Sequence, residues 1–184
     1  MKYGVIVAGL VALLLTVPAK AAQWTQNGVT VICAWAEATQ PGATAAPVYL
    51  WISASPQGKQ TLVDALAEVA QGVEIDGFVR VGGEMQRVRL QNLPVEADTA
   101  LELAPGGYHL LLTGLNTPLV PGPTFGMLLN FDPAGGLEIE VQVVPIGDGP
   151  PCSPGVGAEP RLPGPPPVRV LPVLPPRWIP RGSF

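Results

Sequence analysis

Between Gly28 and Val144 the apolar residues fall in short runs that alternate with polar ones at a period of two, the signature of half-buried strands. Nine such runs are legible: Val29 to Trp35, Val48 to Ser53, Thr61 to Leu66, Val73 to Val79, Met85 to Gln91, Ala100 to Leu103, Tyr108 to Thr113, Thr124 to Phe131, and Leu137 to Val144. In the first, alternation predicts Val29, Val31, Cys33 and Trp35 on one face; in the eighth it predicts Met127, Leu129 and Phe131 inside the core. The segment Thr61 to Ala70 is also compatible with a helical turn or two. Strands of this length and spacing, broken by turn residues, predict an all-β sandwich or barrel of about 120 residues, enough to enclose its own core.

The pattern changes at both ends. Residues 1–22 read as a secretory signal: Lys2, a thirteen-residue apolar run from Val5 to Val17, then small residues around Ala19-Lys20-Ala21. That run is short for a bilayer span, which takes about 20 residues, although an uncleaved anchor is the alternative. No cysteine follows that could carry a lipid. Past Ile146 the periodicity disappears, and twelve of the last 38 residues are proline, so residues 147–184 read as a disordered proline-rich tail rather than a second domain. Within it, Arg169 to Arg177 (RVLPVLPPR) has the spacing of a proline-rich ligand, set against the plainer reading of a stiff spacer.

Composition narrows the function. Of 184 residues, 23 are proline and 22 glycine, too many for an all-α bundle. The body from Gln23 to Ile146 carries four basic and twelve acidic residues, which excludes a basic nucleic-acid-binding surface. With one histidine, His109, and two cysteines, Cys33 and Cys152, a His-rich or Cys-rich metal cluster is excluded too. No serine sits in a nucleophile-elbow sequence, and the glycine pairs (82–83, 106–107, 135–136) lie between strands where a phosphate loop would need a following helix. The expectation is a protein that is not an enzyme. In an exported chain Cys33 and Cys152 can pair as a disulfide; the alternative is that a thiolate serves as a soft metal ligand.

The stretch Pro105 to Leu119 (PGGYHLLLTGLNTPL) resembles the signature of the periplasmic copper chaperone family PCu(A)C. Ala34 to Gly42 (AWAEATQPG) resembles the family's opening, Val73 to Asp76 (VEID) its Val-Glu-Leu-His, and Leu128 to Gly136 (LLNFDPAGG) its penultimate strand and turn. Coverage runs from about Val29 to Val144. The resemblance implies a cupredoxin-like Greek-key β-sandwich over residues 23–146, periplasmic, binding one copper(I) ion and passing it to a copper-accepting protein of the respiratory chain, cytochrome c oxidase.

The family's ligand pattern is His, ten residues, Met, twenty-one residues, His, one residue, Met. Threaded back from His109, it falls on Leu111, Arg87 and Asp76, so His109 alone matches. The remaining thioether near the pattern is Met85, and His109 with Met85 form the candidate metal ligands that the resemblance leaves. Asp76 and Arg87 carry opposite charges at neighbouring positions of the pattern, which predicts an ion pair in the vacated site, with His109 donating to a carboxylate oxygen. Two functions follow: a copper(I) carrier, or a metal-free β-sandwich that binds or scaffolds protein partners through this face or through its tail.

Overall fold

The computed structural model describes residues 22–56, 58–81 and 83–152. The leader to residue 21 and the tail from residue 153 lie outside the described residues, and with them the expectations of a signal peptide, of tail disorder and of a proline-rich ligand. Eleven strands run in chain order: β1 Gln23–Gln26, β2 Val29–Glu37, β3 Ala45–Ala54, β4 Gln60–Ala67, β5 Ala70–Val81, β6 Glu84–Leu90, β7 Leu93–Val95, β8 Ala100–Leu103, β9 His109–Leu115, β10 Thr124–Asp132 and β11 Gly135–Val144. The protein is all-β, and among the described residues there is no helix.

The ladder order is β6-β5-β9-β3-β2-β11-β10-β4-β7, with β1 added on β2 and β8 on β3. Every pairing is antiparallel except β2 with β11, where Trp35 lies beside Gln142. One core collects residues from both ends of that order: Ile75 of β5, Leu50 of β3, Val31 of β2, Leu129 of β10 and Leu93 of β7. The sheet therefore wraps around a single interior. Alternation drives it: in β3, Ala46, Val48, Leu50, Ile52 and Ala54 are buried and the residues between them are not. Met127, Leu129 and Phe131 of β10 enter the core as expected.

One departure from the sequence pattern has a local cause. In β2 the alternation slips by one residue at a bulge between Ile32 and Trp35. Cys33 takes a left-handed backbone there (φ 55°), and its N–H, turned off the ladder, donates to the Ala22 carbonyl at 3.0 Å. Val29, Val31, Ala34 and Ala36 face the main core, whereas Cys33 and Trp35 turn outward. The segment from Thr61, for which a helical turn was an alternative, is strand β4, because its Leu62 and Ala65 complete the core beside β10.

Two strands also have no apolar run to announce them. Polar β1 forms because Asn27-Gly28, both at positive φ, makes a two-residue hairpin onto β2. The three-residue β7 carries Pro94 at the end of the ladder order, the place where a missing N–H costs no ladder bond.

After β11 the chain turns back over the outward side of β2. Cys152 is disulfide-bonded to Cys33 across a separation of 119 residues, closing a small second cluster of Cys33, Trp35 and Val144 with Ile32, Tyr49 and Trp51 beside it. Both cysteines are therefore consumed as a structural clasp, and neither is a free thiolate.

Closing a loop this long stabilises by about 4–5 kcal/mol on the chain-entropy model. Replacing both cysteines by serine is expected to lower the stability of residues 23–184 by about 2–5 kcal/mol in denaturant unfolding. Reductant is expected to do the same to the native chain and nothing to the double variant; equal midpoints for all three would show that the clasp contributes nothing.

Candidate functional site

The four positions of the threaded ligand pattern meet on one outward patch. Asp76 of β5 pairs directly with His109 of β9, and Arg87 of β6 lies opposite Phe78, two residues along β5 from Asp76. Direct cross-strand partners share a face, so Asp76, Phe78, Arg87 and His109 stand on the same side, with Leu111 two residues beyond His109.

The expected ion pair is present. Arg87 donates from Nε to Asp76 Oδ2 at 2.8 Å and from Nη2 to the same oxygen. Asp76 is 1% exposed, and a carboxylate taken that far from water requires such a partner. A second, more exposed pair joins Arg89 to Glu74 at 3.1 Å on the same two strands.

His109 does not bond to Asp76, contrary to the expectation from the sequence. Its Nδ1 donates to the Gly107 carbonyl at 3.1 Å, since a carbonyl can only accept. That carbonyl is presented by a tight loop in which Gly107 N–H reaches the Ala104 carbonyl, Ala104 N–H reaches Tyr108, and Gly106 sits at φ 78°. The imidazole takes the local acceptor two residues back in its own chain, although both Arg87 donors fall on the other carboxylate oxygen, Asp76 Oδ2. In the neutral ring this leaves Nε2 as the basic nitrogen. Tyr108, next in line, turns to the opposite side and lies on Gly77, where a Cβ would come within 2.7 Å of the ring.

Met85 is elsewhere. It pairs with Arg80, four residues along β5 from Asp76 or about 13 Å at strand rise, and is 54% exposed. The structure thus separates the two candidate ligands, His109 and Met85, because the β5-β6 register carries Met85 toward the hairpin tip. Among the described residues no group of three or more His, Cys, Asp and Glu is arranged to hold a metal ion. One imidazole, an aliphatic Leu111 and a guanidinium in the middle of the patch do not fit Cu(I), which favours soft uncharged or anionic donors.

An aromatic row extends the patch. Trp35 and Tyr49 have ring centroids 4.8 Å apart, Tyr49 lies 6.3 Å from His109, and Phe78 lies 6.0 Å from His109 on its other side. The row crosses β2, β3, β9 and β5. The sequence pattern marks Trp35 as facing one side of its strand, but it does not single out Tyr49 or Phe78, whose neighbours are brought by register alone. Burial pushes the Tyr49 phenol above its ordinary range, and the Glu37 carboxylate adds to that; burial alone raises Tyr108.

Residues 29–143 match the family model LpqE-like, described as "Putative lipoprotein LpqE-like". The chain belongs to the LpqE-like family. A protein of Leifsonia xyli subsp. xyli, "Putative lipoprotein Lxx21020", is 30% identical over 118 residues, which are 64% of this chain and 70% of that protein. Among solved structures, the copper-bound PCuAC domain from PmoF2 superposes with a TM-score of 0.58 at 19% identity, covering 67% of this chain and 98% of that one. The apo PCuAC domain from PmoF1 gives 0.57 at 22% identity, covering 70% and 100%. Apo-DR1885 from Deinococcus radiodurans gives 0.52 at 22%, covering 80% and 99%. This LpqE-like chain therefore has the PCuAC fold, a cupredoxin-like β-sandwich.

Replacing Arg87 by methionine leaves Asp76 buried without its partner and is expected to cost about 1–3 kcal/mol in denaturant unfolding. Arg89→Met, on a more exposed pair, is expected to cost no more than about 1 kcal/mol; equal effects would remove the distinction between the two pairs.

In residues 23–184 Tyr49 and Tyr108 are the only tyrosines. Ultraviolet titration is expected to show both ionising above the ordinary value of about 10, with Glu37→Gln moving Tyr49 back downward. A folded-state value raised in this way contributes stability that is present below about pH 10 and is lost as pH rises through the folded value. Tyr49→Phe should therefore flatten the alkaline fall in stability.

Proposed function

We propose that this chain is an exported, cell-envelope member of the PCuAC-type fold in which an arginine–carboxylate pair has taken the place of a coordinated metal ion, and that it works as a metal-free module that binds or scaffolds protein partners. The reading is carried by one observation: the Arg87 guanidinium holds Asp76 beside His109, at two of the three positions where the threaded pattern calls for further ligands. With the guanidinium already neutralising Asp76, no uncompensated negative charge is left there to hold a cation. What remains exposed is two arginines beside the half-buried rings of Tyr49 and Phe78, with Trp35 and His109 buried behind them, and arginine and aromatic residues are the types in which protein interfaces are enriched. An envelope location is supported by the leader-like amino terminus, by the clasp between Cys33 and Cys152, and by the description of the relative as a lipoprotein. Among the described residues no helix is long and apolar enough to cross a membrane.

Carriage of copper(I), with delivery to a respiratory acceptor in the periplasm, is the second reading. It is favoured by the likeness to the copper-bound PmoF2 domain and by His109, whose Nδ1–H bond leaves Nε2 as the basic nitrogen. The donor set of this chain does not support it.

A Cu(I) titration of residues 23–184, in ascorbate and against a competing chelator, separates the two. The native chain is expected to leave the metal with the chelator, also in the Cys33→Ser, Cys152→Ser background. The triple variant Asp76→His, Arg87→Met, Leu111→Met is expected to retain one Cu(I) per chain. Stoichiometric copper on the native chain would overturn the metal-free reading, and a triple variant that gains none would overturn the placement of the ligand pattern on this patch.

A further inference from the structure

Far along the ladder order from His109, strands β4, β10 and β11 turn outward a face that the core does not use. Trp24 of β1, Leu66 and Leu128 line a groove of 680 Å³ there, and Gly126 leaves a gap in its floor. Glu68, Glu138 and Glu140 stand around it, Glu140 directly opposite Gly126 and Glu138 opposite Leu128. Glu68 is held in place by accepting the Gly126 N–H at 3.0 Å. Leu66 is 53% exposed and lines the groove with the three carboxylates. Lys59, Arg87 and Arg89 are each engaged with other carboxylates, so they supply no counter-charge to this groove.

The chain itself carries a segment of the complementary chemistry. Residues 153–184 hold four arginines, one glutamate and ten prolines. Arg169 to Arg177 places an arginine at each end of a Val-Leu-Pro stretch. A groove with a tryptophan, leucines and carboxylates is the chemistry that recognises proline-rich segments flanked by arginine. The tail is also delivered to the right place. Its root, Cys152, is bonded to Cys33 of β2, two residues before Trp35, whose partner Gln142 follows Glu140 by two residues on the adjacent β11. From residue 153 to residue 168 are sixteen residues, a reach of up to about 50 Å at polyproline II rise.

We propose that residues 169–177 dock in cis in this groove, the arginines on Glu68, Glu138 and Glu140 and the apolar stretch on Trp24, Leu66 and Leu128. The proposal does not depend on the metal-free reading, since the groove and the His109 patch share no strand. Partial trypsin digestion of residues 23–184, followed by mass spectrometry, tests it through cleavage after Arg169 and Arg177, with Arg161 as the internal reference. In the variant Glu68→Gln, Glu138→Gln, Glu140→Gln, cleavage at Arg169 and Arg177 relative to Arg161 is expected to rise by about fivefold, the scale of two or three exposed ion pairs. Salt at about 0.5 M should raise it similarly in the native chain. An unchanged pattern in both would overturn the proposal. Protection that fades on dilution would also overturn it, by assigning the groove to the tail of a second copy. The glutamines keep every side chain's shape, and an unchanged thermal midpoint confirms that the variant is folded.

Discussion

A carboxylate withdrawn from water has to be neutralised, bonded or protonated, and in this protein the choice made for Asp76 determines what its surroundings can do. Arg87 brings two N–H groups to one carboxylate oxygen, and the charge of the pair is settled internally. His109, the neighbour across the ladder, makes no bond to Asp76 and turns its Nδ1–H to Gly107. A patch that could have gathered soft donors around a cation instead holds a cation of its own, fixed to the backbone through a side chain.

The scaffold permits this exchange because site and core occupy opposite sides of the same strands. Ile75 and Leu110, which flank Asp76 and His109 in sequence, point into the main core, while the patch residues point outward. Substitution on the outward side therefore leaves the apolar set that closes the sandwich untouched. The bulge in β2 extends the same division. By turning Cys33 and Trp35 outward it builds a second, smaller cluster on the patch side, over which Cys152 ties the returning chain. Tyr49 joins the two regions, touching the Trp35 ring on one side and facing His109 on the other.

Much of the fold was legible. All nine runs of alternating apolar residues are strands, because burial on one side of a sheet imposes a period of two on the chain. Strand β1 escaped because it buries little, although its Asn-Gly turn was a usable signal. The slip at Cys33 was not readable, since Val31 to Trp35 (VICAW) is apolar at every position and either phase of the alternation fits it. The site was legible in part: the threaded spacing brought Asp76, Arg87 and His109 to one face, whereas Met85 lies along the hairpin and His109 prefers a carbonyl two residues behind it.

From the order of residues alone come the strand runs, the acidic body, the family likeness and the opposite charges of Asp76 and Arg87, because each is a property of composition, period or spacing within one chain. Which hydrogen bond His109 makes, how Tyr49 and Phe78 come to flank it, that Cys152 reaches Cys33 across 119 residues, and that Trp24 shares a groove with Glu68 and Glu138 were decided by tertiary structure. Those contacts join strands that are distant in sequence, and register, bulge and wrap set them through the packing of the whole core.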